Sequence, residues 1–247
     1  MTLTGEIKME NHLFGKKIIF DGDSICHATS ETKEINRGWA YRVGAKYGME
    51  WYNVGISGGT VTAEMFYGEN HYPRHWVSRN IDKIREKHEN LDYLIIEGGT
   101  NDADLLDKEP ERFGEYDLSD YSGNYDDSTF TGALESLFYK ALTYYPHIKL
   151  GYIVAPKMGT PKIGYGPEYK RRRFFLRAIE VCKKWGVPYI DLWESSPLNP
   201  SLLSHFDPSL STEENAKAGK YYIDGQHLTK EGYDAVSQAI GNWIFGL

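Results

Sequence analysis

The sequence predicts an α/β domain, a parallel sheet covered by helices on both faces. Two observations carry that expectation. Apolar, β-branched runs alternate with helix-periodic segments five times over, and nothing repeats at a fixed period. The length, 247 residues, fits one generous domain spanning 1–247, whereas two full domains would be cramped. A chain of this size buries a sizeable core without staples.

The elements follow in order. Residues 1–16 form a polar N-terminal extension without an apolar signal core. Lys17-Ile18-Ile19-Phe20 is a buried strand that stops abruptly at Asp21-Gly22-Asp23-Ser24. That reads as a tight turn in which Gly22 supplies backbone freedom and Ser24 is lifted off the strand's carboxyl end. Residues 37–47 suit a short helix, and Trp51 to Val54 a second strand running into Gly55-Ile56-Ser57-Gly58-Gly59-Thr60. Pro73 to His88 places Trp76, Val77, Ile81 and Ile84 on one helical side. Leu91 to Glu97 is the clearest buried strand, and it ends at Gly98-Gly99-Thr100-Asn101-Asp102.

Residues 102–128 are acidic, rich in Gly, Tyr and Asp, and without apolar period, so a long surface excursion is expected, a lid or substrate-facing loop. Phe130, Ala133, Leu134, Leu137, Phe138 and Ala141 make a strong amphipathic helix. Lys149 to Ala155 is a strand, 157–167 a Gly/Pro-rich connection, and 168–185 a helix whose Lys170-Arg171-Arg172-Arg173 cluster suits a solvated first turn. Val187 to Leu192 is the fifth strand. A loop of about thirty residues then leads to a last helix capped by Thr229. Right-handed crossovers put every strand's carboxyl end on one edge, so the turns at 21–24, 56–60 and 98–102 share it.

Chemistry concentrates at those turns. Ser24 is a candidate nucleophile, and Tyr222-Ile223-Asp224-Gly225-Gln226-His227 places a carboxylate and an imidazole three residues apart. Asp224 would hold His227 Nδ1–H and leave Nε2 as base. Gly58, without a side chain, lets its N–H approach a reacting centre, and the flexible Gly98-Gly99-Thr100 lets the Asn101 carboxamide enter the cleft. Against each stands a plain structural alternative: an ordinary turn for Ser24, a cap or surface residue for His227, an Asx-turn for Asn101.

Taken together, Gly22-Asp23-Ser24, Gly58 in Ile56–Thr60, Gly99-Thr100-Asn101-Asp102 and Asp224-Gly225-Gln226-His227 resemble the four sequence blocks of the SGNH hydrolases, the GDSL-type esterases. Order and separations match over almost the whole chain, with Ile25 where the first block often has Leu. The resemblance implies a three-layer α/β/α, flavodoxin-like fold with a five-stranded parallel sheet and neither metal nor organic cofactor. It implies catalytic Ser24, Asp224 and His227, and an oxyanion hole formed by the Ser24 N–H, Gly58 and Asn101.

Gly55-Ile56-Ser57-Gly58-Gly59 also matches the Gly-x-Ser-x-Gly elbow of α/β-hydrolases, which would make Ser57 the nucleophile. That elbow demands strand, turn and helix, yet 60–72 is a poor, glycine-interrupted helix and only two strands precede it. Ser24 is therefore preferred. His71 and His75 are four apart, but Pro73 lies between them and no third ligand is evident, so they read as surface or cleft residues. Cys26 reads as packed against the sheet and His27 as a pocket-lining residue that does not displace His227.

A net charge of −7 argues against nucleic-acid phosphate and anionic membrane partners. No run suits a transmembrane helix. The two cysteines, Cys26 and Cys182, have no metal-ligand spacing and read as reduced thiols, consistent with a cytoplasmic protein. The expected activity is hydrolysis of a carboxylic ester through an acyl-serine, with a small-molecule or glycan ester as substrate. A short acyl group on a carbohydrate is favoured because the tyrosine-rich acidic excursion suits sugar stacking. Lipid esters and thioesters use the same machinery, and a non-catalytic glycan- or protein-binding module is the rival from another class.

Overall fold

The computed structural model describes residues 11–28, 38–68, 71–159 and 169–247. The first ten residues, the Arg37 end of the helix expected at 37–47, most of the connection at 157–167 and Glu168 lie outside them.

Five parallel strands form the sheet: β1 (Lys17–Asp21), β2 (Glu50–Asn53), β5 (Tyr93–Glu97), β6 (Lys149–Val154) and β7 (Tyr189–Asp191). Their order is β2-β1-β5-β6-β7, so the chain reverses direction across the sheet between β1 and β5. A short antiparallel hairpin, β3 (Phe66–Tyr67) with β4 (Tyr72–Pro73), stands apart from it. The central strands carry the apolar runs: Ile18, Ile19 and Phe20 of β1 and Leu94, Ile95 and Ile96 of β5 are fully buried. Each such side chain contributes about 1.5–3 kcal/mol of burial.

Helices cover both faces. On one, α3 (Val77–Lys87), α5 (Phe130–Tyr144) and α6 (Lys170–Trp185) pack side by side. On the other, α2 (Trp39–Tyr47) packs against α9 (Lys230–Phe245), which starts at the expected Thr229 cap. Short helices mark the loops: α1 (Ser24–His27), α4 (Thr100–Leu105), α7 (Leu192–Ser195) and α8 (Thr212–Lys217). The result is the three-layer α/β/α arrangement with a five-stranded parallel sheet.

Three local expectations need correction. The helix expected from Pro73 begins only at Val77, because Tyr72 and Pro73 pair with the hairpin and Trp76 is still extended. The 170–173 cluster is solvated only in part: Arg173 is exposed and Lys170 half-exposed. Arg172 is buried and grips Asp191 with both guanidinium nitrogens at 3.2 and 2.9 Å, while Arg171 binds Asp104.

The third correction concerns residues 102–128. Asp102 is fully buried, and the segment opens with α4 and two 3₁₀ turns whose Leu106 and Phe113 join the core. Its tyrosines then run down beside α6. Tyr116 donates to the Glu180 carbonyl and Tyr121 to the Lys184 carbonyl. The rings of Tyr116, Tyr121, Tyr125 and Trp185 surround the Lys184 ammonium at 5.0–6.0 Å, and that ammonium is paired with buried Glu135 at 2.8 Å. Because α6 leads into the start of β7, its C-terminal end lies at the sheet's amino edge. The tyrosines are thus committed to a strap at the edge opposite the candidate site, not to a lid or a sugar platform.

Candidate active site

Three loops meet at the carboxyl edge, and Gly22 shows how closely. A Cβ there would collide with the Glu97 carbonyl oxygen at the end of β5, while the Gly22 carbonyl accepts from Ile56 N at 3.0 Å. Only glycine permits that approach of β1, β5 and the loop after β2.

Ser24 opens α1, a single turn. Asp23 is its N-cap, accepting the Ile25 N–H at 2.9 Å, and Asp23 is itself fully buried. This fixes Ser24 at the helix start, where its N–H has no intrahelical acceptor.

The histidine arrives from the other end of the chain. The long loop before α9 is held by buried Asn215, whose carboxamide joins Asp207 in both directions at 3.0 Å. A bridge between Tyr222 and Leu228 then closes the turn that carries Asp224 and His227. Asp224 Oδ1 accepts the N–H groups of Gln226 and His227 at 2.9 and 2.8 Å, leaving Oδ2 2.7 Å from His227 Nδ1. A carboxylate only accepts, so Nδ1 carries the proton and Nε2 presents its lone pair to Ser24 Oγ at 3.0 Å. Burial alone raises the Asp224 carboxyl. The hydrogen bond and charge of His227, with the two backbone donors, outweigh it and hold the group below its ordinary value.

Gly58 has φ of +76°, and a Cβ there would run into the Tyr67 hydroxyl. Its carbonyl is held by Arg74 at 2.8 Å, and Tyr67 donates to the neighbouring Ser57 carbonyl. Among the described residues, neither the Gly58 N–H nor the Ser24 N–H meets an acceptor. Asn101, in the first turn of α4, points one amide hydrogen at the Gly59 carbonyl at 2.9 Å, which leaves the second for a ligand.

Residues not singled out from the sequence prove central. Asp102 accepts from Val61 N at 3.0 Å and Thr62 N at 2.8 Å, tying the loop after β2 to α4. Burial raises its carboxyl, and those donors oppose the rise. Asp21 accepts from His75 at 2.7 Å and Asn80 at 2.8 Å, anchoring the start of α3 to the end of β1. Each acid sits among other polar residues at a strand end or turn, which gave no sequence signal for these roles.

The alternatives fall elsewhere. Ser57 lies in an irregular loop with no helix until Val77, and its Oγ is 3.3 Å from His27 Nδ1. Burial and the neighbouring His75 lower His27. His71 sits in the hairpin turn at φ +50°, so it shares no helix with His75. Cys26 and Cys182 are buried, unpaired thiols, both raised by burial. Among the described residues no three His, Cys, Asp or Glu side chains are grouped to hold a metal, and no helix is long and apolar enough to cross a membrane.

Beside the Gly58 loop the hairpin and α3 enclose a groove of about 510 Å³, lined by Ile56, Tyr67, Arg74, Trp76, Asn80 and Lys83. Arg74 stacks 4.0 Å over the Tyr67 ring.

Comparison with known proteins finds the same fold elsewhere. Solved structures of similar fold include a protein from Lactobacillus plantarum, with 20% identity, TM-score 0.67 and coverage of 95% of this chain and 99% of that one. Another is Est24, a carbohydrate acetylesterase from Sinorhizobium meliloti, with 17% identity, TM-score 0.61 and coverage of 94% and 99%. A third is the M. smegmatis aryl esterase, with 18% identity, TM-score 0.60 and coverage of 94% and 100%. At these identities the likeness is one of fold. No curated protein matches by sequence. The profile of the GDSL-like lipase/acylhydrolase family, however, matches residues 20–235. A match over that much of the chain, spanning all four blocks on the carboxyl edge, means that this carboxylic ester hydrolase belongs to the GDSL-like lipase/acylhydrolase family.

Proposed function

We propose that the protein cleaves a short acyl ester, an acetyl group on a carbohydrate, through an acyl-serine intermediate. The observation that carries the mechanism is the continuous line from Asp224 Oδ2 through His227 to Ser24 Oγ, with contacts of 2.7 and 3.0 Å. His227 Nε2 takes the Ser24 proton as Oγ attacks the ester carbonyl carbon. Negative charge then develops on the carbonyl oxygen, where the Ser24 N–H, the Gly58 N–H and the spare Asn101 amide hydrogen stabilise it. Collapse expels the alcohol, which receives the proton from His227. Water repeats the cycle on the acyl-serine, with His227 again as base, and the acid leaves. Asp224 keeps His227 in the required tautomer and stabilises the imidazolium.

The carbohydrate half of the proposal rests on the groove beside Gly58. Tyr67 and Trp76 offer aromatic faces, and Arg74, Asn80 and Lys83 offer donors, the mixed lining that a sugar's apolar faces and hydroxyls require. Its tyrosine, Tyr67, lies on the hairpin, not in the 102–128 segment. That a carbohydrate acetylesterase shares the fold is consistent with this reading. The test compares turnover of peracetylated monosaccharides with p-nitrophenyl esters of increasing chain length. Higher kcat/KM for acetylated sugars and acetyl esters is expected, and faster cleavage of long-chain esters would sink the sugar assignment.

A further inference from the structure

Beneath the candidate nucleophile lie two acidic side chains that no step of the reaction uses. Asp23 and Glu97 are 0% and 1% exposed, one in the turn after β1 and the other at the end of β5. One Asp23 oxygen caps α1 through Ile25 N–H. The other, and both oxygens of Glu97, have no hydrogen-bond partner. The Glu97 carboxyl faces the Asp23 carboxyl and the backbone amides of Asp23 and Cys26, without a well-aligned bond to any of them.

Two carboxylates cannot share a dry site in the ionised state, because burial and mutual repulsion both oppose the second charge. Cationic groups reach the pair only at longer range, as the charges of His227 and Arg171 act on Asp23. The other titratable groups that feel both charges are the Cys26 thiol from the β1 turn and the Tyr152 hydroxyl from β6, neither of them a cation. One proton must therefore reside between the two acids.

We propose that Glu97 is a positioning residue: it keeps its proton and donates it to the free oxygen of Asp23, locking the cap that fixes Ser24. The assignment to Glu97 follows from the cap. Asp23 accepts a well-aligned backbone N–H, which favours its ionised form, whereas the Asp23 and Cys26 amides that face Glu97 make no well-aligned bond to it and only oppose the rise that burial and the Asp23 charge impose. Burial and the facing Asp23 charge both push the Glu97 carboxyl well up, and Asp23 rises under burial against the pull of Ile25 N–H. With the Glu97 proton in place, both Asp23 oxygens are satisfied and its side chain cannot rotate away from Ile25. The first turn of α1 then holds Ser24 Oγ toward His227 and the Ser24 N–H toward the developing oxyanion. No proton leaves the pair during turnover.

The catalytic consequence rests on Ser24 being the nucleophile; the protonation state does not. Infrared spectra in H2O and D2O at neutral pH read that state directly. Wild type should show a protonated carboxylic C=O band that shifts in D2O and is absent from Glu97→Gln. Asp23→Asn should also abolish it, because the asparagine amide then donates to an ionised Glu97. In kinetics, Glu97→Gln keeps a donor toward Asp23 and should retain kcat within about threefold, with KM unchanged. Glu97→Leu removes the donor, and a loss of about 10- to 100-fold in kcat at unchanged KM is expected from misplacement of the serine. Should Glu97→Leu fail to fold, the infrared comparison still decides. Absence of the acid band, or Glu97→Gln as damaging as Glu97→Leu, overturns the proposal. Retained activity in Ser24→Ala would instead overturn the nucleophile and leave the band unaffected.

Discussion

His227 Nε2 stands 3.0 Å from Ser24 Oγ, although 203 residues separate the two. The sheet brings them together: Ser24 leaves the carboxyl end of β1, and the loop packed ahead of α9 delivers the imidazole to the same edge. If this pair carries the chemistry, Ser24→Ala removes the acyl-enzyme and lowers kcat on p-nitrophenyl acetate by about 10⁴-fold or more. Ser57→Ala should stay close to wild type. Loss with Ser57→Ala and not with Ser24→Ala would reassign the nucleophile.

Asn101 and Gly58 test the oxyanion site separately. Asn101→Ala deletes one donor, and kcat should fall about 10²–10³-fold with little change in KM. Gly58→Ala forces a side chain into a positive-φ position against the Tyr67 hydroxyl, so its loss should be at least as large. Tyr67→Phe combined with Gly58→Ala relieves part of the crowding and should recover little, because the backbone strain remains. Equal kcat in Asn101→Ala and wild type would remove the carboxamide from the mechanism.

Asp102 acts at one remove, through the backbone it holds. Asp102→Ala strands the buried N–H groups of Val61 and Thr62 and should destabilise the fold by about 2–4 kcal/mol, read by urea denaturation. The Gly58–Gly59 loop precedes those residues directly, so kcat should fall in the folded variant as well. An unchanged denaturation midpoint would show that the loop is anchored elsewhere.

Much of this architecture was legible because local chemistry and tertiary role coincide. Buried strands such as Ile18–Phe20 and Leu94–Ile96 announce themselves as unbroken apolar runs, and Thr229 announces a cap. Pro73 misled because proline suits a helix start, whereas here it is an edge residue of a two-residue hairpin. Residues 102–128 misled for another reason. Tyrosine and aspartate look solvent-facing in sequence, and only the fold reveals that Tyr116, Tyr121 and Tyr125 close around Lys184. Glu97 was hidden in the same way, as an acid at the end of a strand whose neighbours come from elsewhere in the chain.

The strap at the foot of α6 separates structure from catalysis. Lys184 and Glu135 are 1% and 4% exposed, and Glu135 also accepts from Trp185 Nε1. Lys184→Met leaves a buried carboxylate without its cation, a change that should destabilise the protein by about 3–5 kcal/mol. Activity of the folded variant should remain within about twofold, since distant sites act independently. A large fall in kcat at unchanged stability would return the 102–128 segment to the substrate.

Stability should carry the signature of Glu97 as pH rises. Its folded-state carboxyl is raised by burial and by Asp23, so between the ordinary glutamate value and the raised one the folded protein holds a proton that the unfolded chain releases. Stability from this group is complete at acid pH and declines as pH increases through that window, by at most about 1.4 kcal/mol per pH unit. Glu97→Gln cannot titrate. Asp23 and Cys26, both raised as well, remain in the two proteins, so they contribute to both curves. The difference in unfolding free energy between variant and wild type should therefore shift in favour of the variant from pH 5 to pH 8.5. Urea denaturation across that range measures it. Parallel pH profiles would mean that Glu97 titrates alike in folded and unfolded chains, which two buried acids without a cation between them do not allow.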